Sequence, residues 1–166
     1  MKTLYIVRHA KSSWDFPDIA DIDRPLNSRG NKNAPEMGQR LFNRNIKPDL
    51  LLSSPANRAY TTSQKIAQEI GYPVDKISTS KEIYHTGSGE LLNIVRRQSN
   101  SINSLMIFGH NPGFTWFANS LTGENIDNIP TCGIVAIEFD VESWSNIEAG
   151  EGKIIFFDYP KKKASF

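Results

Sequence analysis

The sequence predicts an α/β protein, a three-layer α/β/α arrangement with a mostly parallel central sheet and a C-terminal antiparallel strand pair. Short apolar runs alternate along the chain with stretches of helical period, the pattern of a layered α/β domain. The last two β-branched runs are separated instead by a loop holding Gly150 and Gly152, which marks a hairpin. With 166 residues, 39% of them hydrophobic, the chain can build one core between two helical layers. A single domain over residues 1–160 is expected, followed by a short basic tail at 161–166.

Leu4, Tyr5, Ile6 and Val7 read as a buried first strand. Helices are expected near residues 30–45, 55–70, 88–99 and 112–121. In the first, Met37, Leu41 and Phe42 supply an apolar face after Ser28-Arg29-Gly30. Leu50, Leu51 and Leu52 form the next strand. Ser54 suits the N-cap of the helix that follows and Pro55 its first turn, which puts Arg58 about one turn in, near a positive helix end. Leu91, Leu92 and Val95 give the third helix its face after Ser88-Gly89. Leu105, Met106, Ile107 and Phe108 form a strand ending in Gly109-His110. Ile134 to Phe139 and Lys153 to Phe157 are the terminal antiparallel pair.

Arg8 and His9 follow the first strand, and open α/β sheets bind ligands beyond the carboxyl ends of their strands. Arginine presents a planar, permanently charged fork suited to phosphate oxygens, while histidine is a nucleophile or proton carrier. A histidine after a strand is by itself more often structural, so the weight comes from Arg58 and His110 in comparable settings. Together they point to phosphoryl chemistry.

The string Val7-Arg8-His9-Ala10-Lys11-Ser12-Ser13-Trp14-Asp15 resembles the signature of the histidine phosphatase superfamily, also called the phosphoglycerate mutase-like family. Ser53-Ser54-Pro55 leading into Arg58-Ala59 and Thr61-Thr62 resembles its second motif, and Gly109-His110 its third. The resemblance covers nearly the whole chain and is greatest to the SixA branch, the phosphohistidine phosphatases. It implies that His9 accepts the phosphoryl group on a ring nitrogen while Arg8, Arg58 and His110 hold its oxygens. It implies also that the other His9 nitrogen donates to a backbone carbonyl, which the sequence does not identify. Ala10 replaces the family's usual Gly, Lys11 its acidic residue and Asp15 its Asn. Asp15 near a phosphate would be unfavourable unless turned away, so Asp15 is given no role, and Ser12 reads equally as a phosphate donor or a loop serine.

Family members acting on phosphate esters carry a carboxylate for the leaving group, and Glu82 in Lys81-Glu82-Ile83-Tyr84-His85-Thr86-Gly87 is the candidate. His85 reads as a loop residue with room for substrate contact. Trp14 and Phe16, between polar residues and Pro17, are expected in a loop over the pocket rim with packing as their main role. Specificity is expected in residues 14–27 and 80–90.

The balance of 19 basic and 18 acidic residues, net +1, argues against nucleic acid as a partner, and Lys161-Lys162-Lys163 read as a solvated tail. Cys132 is the sole cysteine, so no intrachain disulfide forms and a reducing compartment is compatible. No secretory signal or membrane-length apolar run is read, so a cytoplasmic location is expected. No Walker loop, GxGxxG or CxxC pair occurs. No cofactor is expected, and no metal, since the arginines beside His9 and His110 would repel a cation. The expected function is a metal-independent phosphatase acting through phosphohistidine on phosphohistidine in proteins. The alternatives are a small-molecule phosphomonoesterase of the same family and a non-catalytic phosphoprotein-binding module. A mutase is set aside because family mutases carry extra segments. The partner is accordingly a phosphorylated protein or small phosphorylated substrate; oligomeric state is left open.

Overall fold

Six strands form one sheet in the order β3-β2-β4-β1-β5-β6, comprising β1 (Lys2–Arg8), β2 (Leu50–Ser53), β3 (Ser78–Thr79), β4 (Ser104–Gly109), β5 (Ile134–Phe139) and β6 (Lys153–Asp158). The structure, a computed structural model, describes residues 1–163. β4 lies between β1 and β2 and runs parallel to both, β3 extends the parallel part, and β5 and β6 are antiparallel to their neighbours. Strands covered on both faces must be apolar throughout rather than alternating. Leu4 and Ile6 face one layer, and Tyr5 and Val7 the other.

α1 (Ser28–Asn43) and α2 (Asn57–Ile70) bury Met37, Leu41, Ile66 and Ala67 against the Tyr5 face. α3 (Ser88–Arg96) and α4 (Gly113–Thr122) bury Leu91, Val95, Phe114 and Phe117 on the opposite face, where Trp144 and Ile147 complete the layer. The expected three layers and terminal antiparallel pair are therefore present. Among the described residues no helix is long and apolar enough to cross a membrane.

Three helix boundaries differ from expectation for local reasons. α1 begins at Ser28, two residues earlier than expected, because the Asn27 side chain accepts the Gly30 N–H at 2.9 Å and caps it. α3 stops at Arg96, before the polar Gln98-Ser99-Asn100 segment. α2 begins at Asn57, so Arg58 stands in its first turn, and Ser54 is not its N-cap. The Ser54 hydroxyl instead accepts the Ala56 N–H and meets His110. β3 was not anticipated, since two exposed polar residues at a sheet edge carry no apolar signal. Lys161, Lys162 and Lys163 are exposed, as a basic tail implies, and the remainder of that expected tail lies outside the described residues.

Candidate active site

The strand order makes neighbours of the three motifs. Arg8 pairs with Gly109 and Ser53 with Phe108, and the ladder continues as His9 N–H donates to Gly109 O at 3.0 Å and Ser54 N–H to Phe108 O at 2.9 Å. Arg8, His9, Arg58 and His110 thus line one pocket of about 330 Å³ at the carboxyl end of the parallel strands. The first turn of α2 joins them there. Thr62 Oγ1 donates to Arg58 O at 2.7 Å and accepts the Ala10 N–H at 2.9 Å, which ties the loop after β1 to that turn.

His9 Nδ1 lies 2.7 Å from Ala10 O. A carbonyl only accepts, so Nδ1 carries the proton and Nε2 keeps its lone pair. The expected carbonyl acceptor is therefore supplied by the next residue in the chain. Burial, reinforced by Arg58, Arg8 and Arg24, pushes the His9 pKa down to about 4. At neutral pH the ring is uncharged.

His110 stands 5.3 Å from His9, ring centre to ring centre. Its Nε2 is 2.8 Å from Ser54 Oγ, and that oxygen already accepts the Ala56 N–H. Where the Ser54 hydroxyl donates to Nε2, the His110 proton sits on Nδ1, which is buried with no partner among the described residues. Burial first, then the neighbouring His9 and Arg58 charges, hold the His110 pKa near 3.

The sequence did not single out Asp21, Arg24 or Tyr84, and these organise the cationic wall. Arg58, 4% exposed, donates from Nη1 to Asp21 O at 2.8 Å and from Nη2 to Asp21 Oδ2 at 3.0 Å. Arg24 Nε reaches Asp21 Oδ1 at 3.2 Å, and the Tyr84 hydroxyl donates to Oδ2 at 2.6 Å. The Tyr84 bond above all, with Arg58 and Arg24, holds the Asp21 carboxyl far below the usual carboxylate range. Arg8 Nη1 donates to Ile129 O at 2.9 Å, while Nε of both Arg8 and Arg58 is buried and unpartnered. Three arginines stand against one carboxylate. The arginines exceed the carboxylate by two positive charges, and Lys11 in the pocket lining adds a third, an excess that suits a phosphoryl group of about −1.5 to −2.

Glu82 is not part of this site. It is exposed, and both its oxygens accept from Arg97 Nη2, at 3.0 and 3.2 Å. Asp15 is exposed and outside the pocket lining, as its charge requires. Ser12 lines the pocket with its hydroxyl against Arg24 Nη1. His85, at φ 53°, lies in a loop as expected, lines the pocket 6.3 Å from His110 and packs on Tyr84. Packing is not the role of Trp14 and Phe16. Trp14 is 77% exposed and Phe16 52%, and Trp14 is held by the Arg24 guanidinium 3.7 Å from its ring centre. Cys132, whose N–H donates to His9 O, is buried, which pushes its thiol up to about 12 and rules out a thiolate nucleophile. Among the described residues, no three His, Cys, Asp or Glu side chains group as metal ligands.

The two depressed histidines set a pH dependence of stability. Their folded pKa values, about 4 and about 3, lie below the ordinary 6.5, so the unfolded chain binds more protons between those limits and stability rises with pH there. Stability should therefore fall as pH drops from about 6.5 to 5, by up to about 1.4 kcal/mol per unit for each histidine. Urea midpoints measured across that range should decline, and less steeply in His110→Gln. A flat midpoint would contradict the buried neutral pair.

Comparison with known proteins agrees with this geometry. A model of the histidine phosphatase superfamily (branch 1) matches residues 4–93. An uncharacterized chloroplastic protein of Arabidopsis thaliana is 31% identical over 159 residues, spanning 91% of this chain and 72% of its own. The putative phosphohistidine phosphatase SixA from Agrobacterium tumefaciens superposes with a TM-score of 0.83 at 28% identity, covering 96% of this chain and 98% of that one. The protein histidine phosphatase SixA complexed with tungstate gives 0.78 at 21% identity, over 95% and 97%. The chain belongs to the histidine phosphatase superfamily, branch 1, and resembles its SixA members.

Proposed function

We propose that the protein is a phosphatase that hydrolyses phosphohistidine in proteins through a phosphoryl group carried on His9 Nε2. His9 attacks phosphorus with its free lone pair. The bond from phosphorus to the substrate nitrogen breaks, and the substrate ring leaves as neutral imidazole, keeping the proton on its far nitrogen. Water then attacks the phosphoryl group, the bond to His9 breaks, and inorganic phosphate departs as the water proton passes to solvent. The Nδ1–H bond to Ala10 O holds the ring in the attacking tautomer throughout. Arg8, Arg58 and the Nδ1–H of His110 stabilise the phosphoryl oxygens, with Arg24 adding charge.

The observation carrying the choice of substrate is that no carboxyl side chain lines the pocket among the described residues. Glu82 is paired with Arg97, and Asp21 is held ionised by Tyr84, Arg58 and Arg24. An alkoxide leaving group needs a general acid, whose contribution is about 10²- to 10⁴-fold. A protonated imidazole does not. Similarity to SixA structures, one complexed with tungstate, supports the same reading.

A panel of phosphohistidine peptide, aryl phosphate and glycerol phosphate, each with and without a chelator, tests this function. Phosphohistidine and aryl phosphate should be cleaved, with glycerol phosphate about a hundredfold slower or worse. The chelator should change nothing, because the arginines already provide the charge a metal would bring. Preferred cleavage of glycerol phosphate, or activity lost to the chelator and restored by Mg²⁺ or Zn²⁺, would overturn it.

A further inference from the structure

A groove of about 680 Å³ opens beside the catalytic pocket and shares Lys11 and Thr131 with it. Lys11, Arg29, Lys32 and Lys161 line it, all exposed, and none makes an ion pair among the described residues. The one carboxylate in its lining, Glu36, is 3.8 Å from Arg40 Nη2. On a chain of net charge +1 this is a local concentration of unanswered positive charge.

Both walls are fixed. Arg40 clasps one by donating to Asp158 Oδ1 at 2.9 Å and to Tyr159 O and Pro160 O at 3.0 Å each. The other wall depends on Gly30, where an added Cβ would lie 2.1 Å from Lys11 O, so α1 can press against the loop after β1 only without a side chain there. Asn27 N–H also donates to Lys11 O, at 3.0 Å.

We infer that this groove binds an acidic peptide segment flanking the phosphorylated residue of the substrate protein, an inference that rests on the function proposed above. The cations come from three separate parts of the chain and none is buried. A single phosphate calls for buried donors converging on one point. Dispersed, solvated charges beside an open trough suit carboxylates spread along an extended chain. Lys11, common to groove and pocket, makes the two continuous, so the peptide can leave the groove and present its phosphoryl group to His9.

The test uses Arg29→Glu/Lys32→Glu, which leaves the catalytic side chains untouched. Both residues are exposed near the start of α1, whose first turn lacks an acidic residue, so glutamates there favour the helix. Arg29→Gln/Lys32→Gln removes charge without reversing it. Substrates are phosphohistidine peptides with Asp/Glu or Ala/Ser flanks, p-nitrophenyl phosphate and a small sugar bisphosphate. Wild type should favour the acidic peptide about tenfold through KM, and added salt should shrink the preference. The reversal should erase it, the glutamine variant should weaken it, and p-nitrophenyl phosphate should stay within about twofold because it does not reach the groove. Equal KM for both peptides in wild type would overturn the groove assignment while leaving the phosphatase reading intact. A KM increase confined to the bisphosphate would overturn the choice of a peptide. Cleavage of p-nitrophenyl phosphate with no phosphohistidine peptide cleaved would overturn the underlying substrate reading and this inference with it.

Discussion

Replacing His9 by alanine is expected to lower kcat by more than about a thousandfold, about 4 kcal/mol of barrier, while the fold persists. The side chain is 8% exposed, and its one hydrogen bond is to the adjacent Ala10 carbonyl, so no distant element loses an anchor. Its backbone N–H and C=O, which bond Gly109 and Cys132, survive the substitution. Thermal unfolding should remain a single cooperative transition, and removal of a histidine buried neutral should flatten the acid side of the stability curve. His9→Ala activity within tenfold of the parent would remove His9 as the nucleophile.

Arg58→Ala should cost kcat/KM about 10²- to 10³-fold, roughly 3–4 kcal/mol, with weaker inhibition by inorganic phosphate. Two effects combine. The buried positive charge in the first turn of α2 disappears, and Asp21, left with Arg24 and Tyr84, turns a larger share of its negative charge toward the pocket. Counting the three arginines against Asp21, the excess falls from two charges to one. Arg58→Lys should not restore activity, because a lysine cannot reach the Asp21 carbonyl and carboxylate at once while facing phosphate. Full rescue by lysine would reduce the role of Arg58 to bulk charge.

What could be read without the structure follows from where each residue sits. β1, β2 and β4 are sandwiched between helical layers and carry unbroken apolar runs, Leu4–Val7, Leu50–Leu52 and Leu105–Phe108, so the ends of those runs, and hence Arg8, His9 and His110, were locatable from the sequence itself. β3 has two polar residues at an edge and left no trace. Asp21, Arg24 and Tyr84 come from polar loops, within the stretches 14–27 and 80–90 where specificity was expected. Contacts 37 and 63 residues away in sequence, Arg58 to Asp21 and Tyr84 to Asp21, place them, and no local pattern encodes such pairings. Glu82 looked eligible as an acid because a surface carboxylate and a catalytic one have the same letter. Its partner Arg97, fifteen residues away just past the end of α3, decides the matter. Ser54 resembled an N-cap for the same reason, until His110 claimed its hydroxyl.

The chemical identity of the intermediate tests the central claim most directly. Phosphohistidine peptide labelled with ³²P is mixed with the enzyme, quenched within milliseconds, and the protein is divided between acid and alkali. Attack by His9 gives a labelled protein whose bond survives alkali and is lost in acid, with no label on His9→Ala. Label that survives acid and is lost in alkali, or substrate consumed at full rate with no phosphoenzyme at any quench time, would contradict a phosphoryl group carried on the His9 ring.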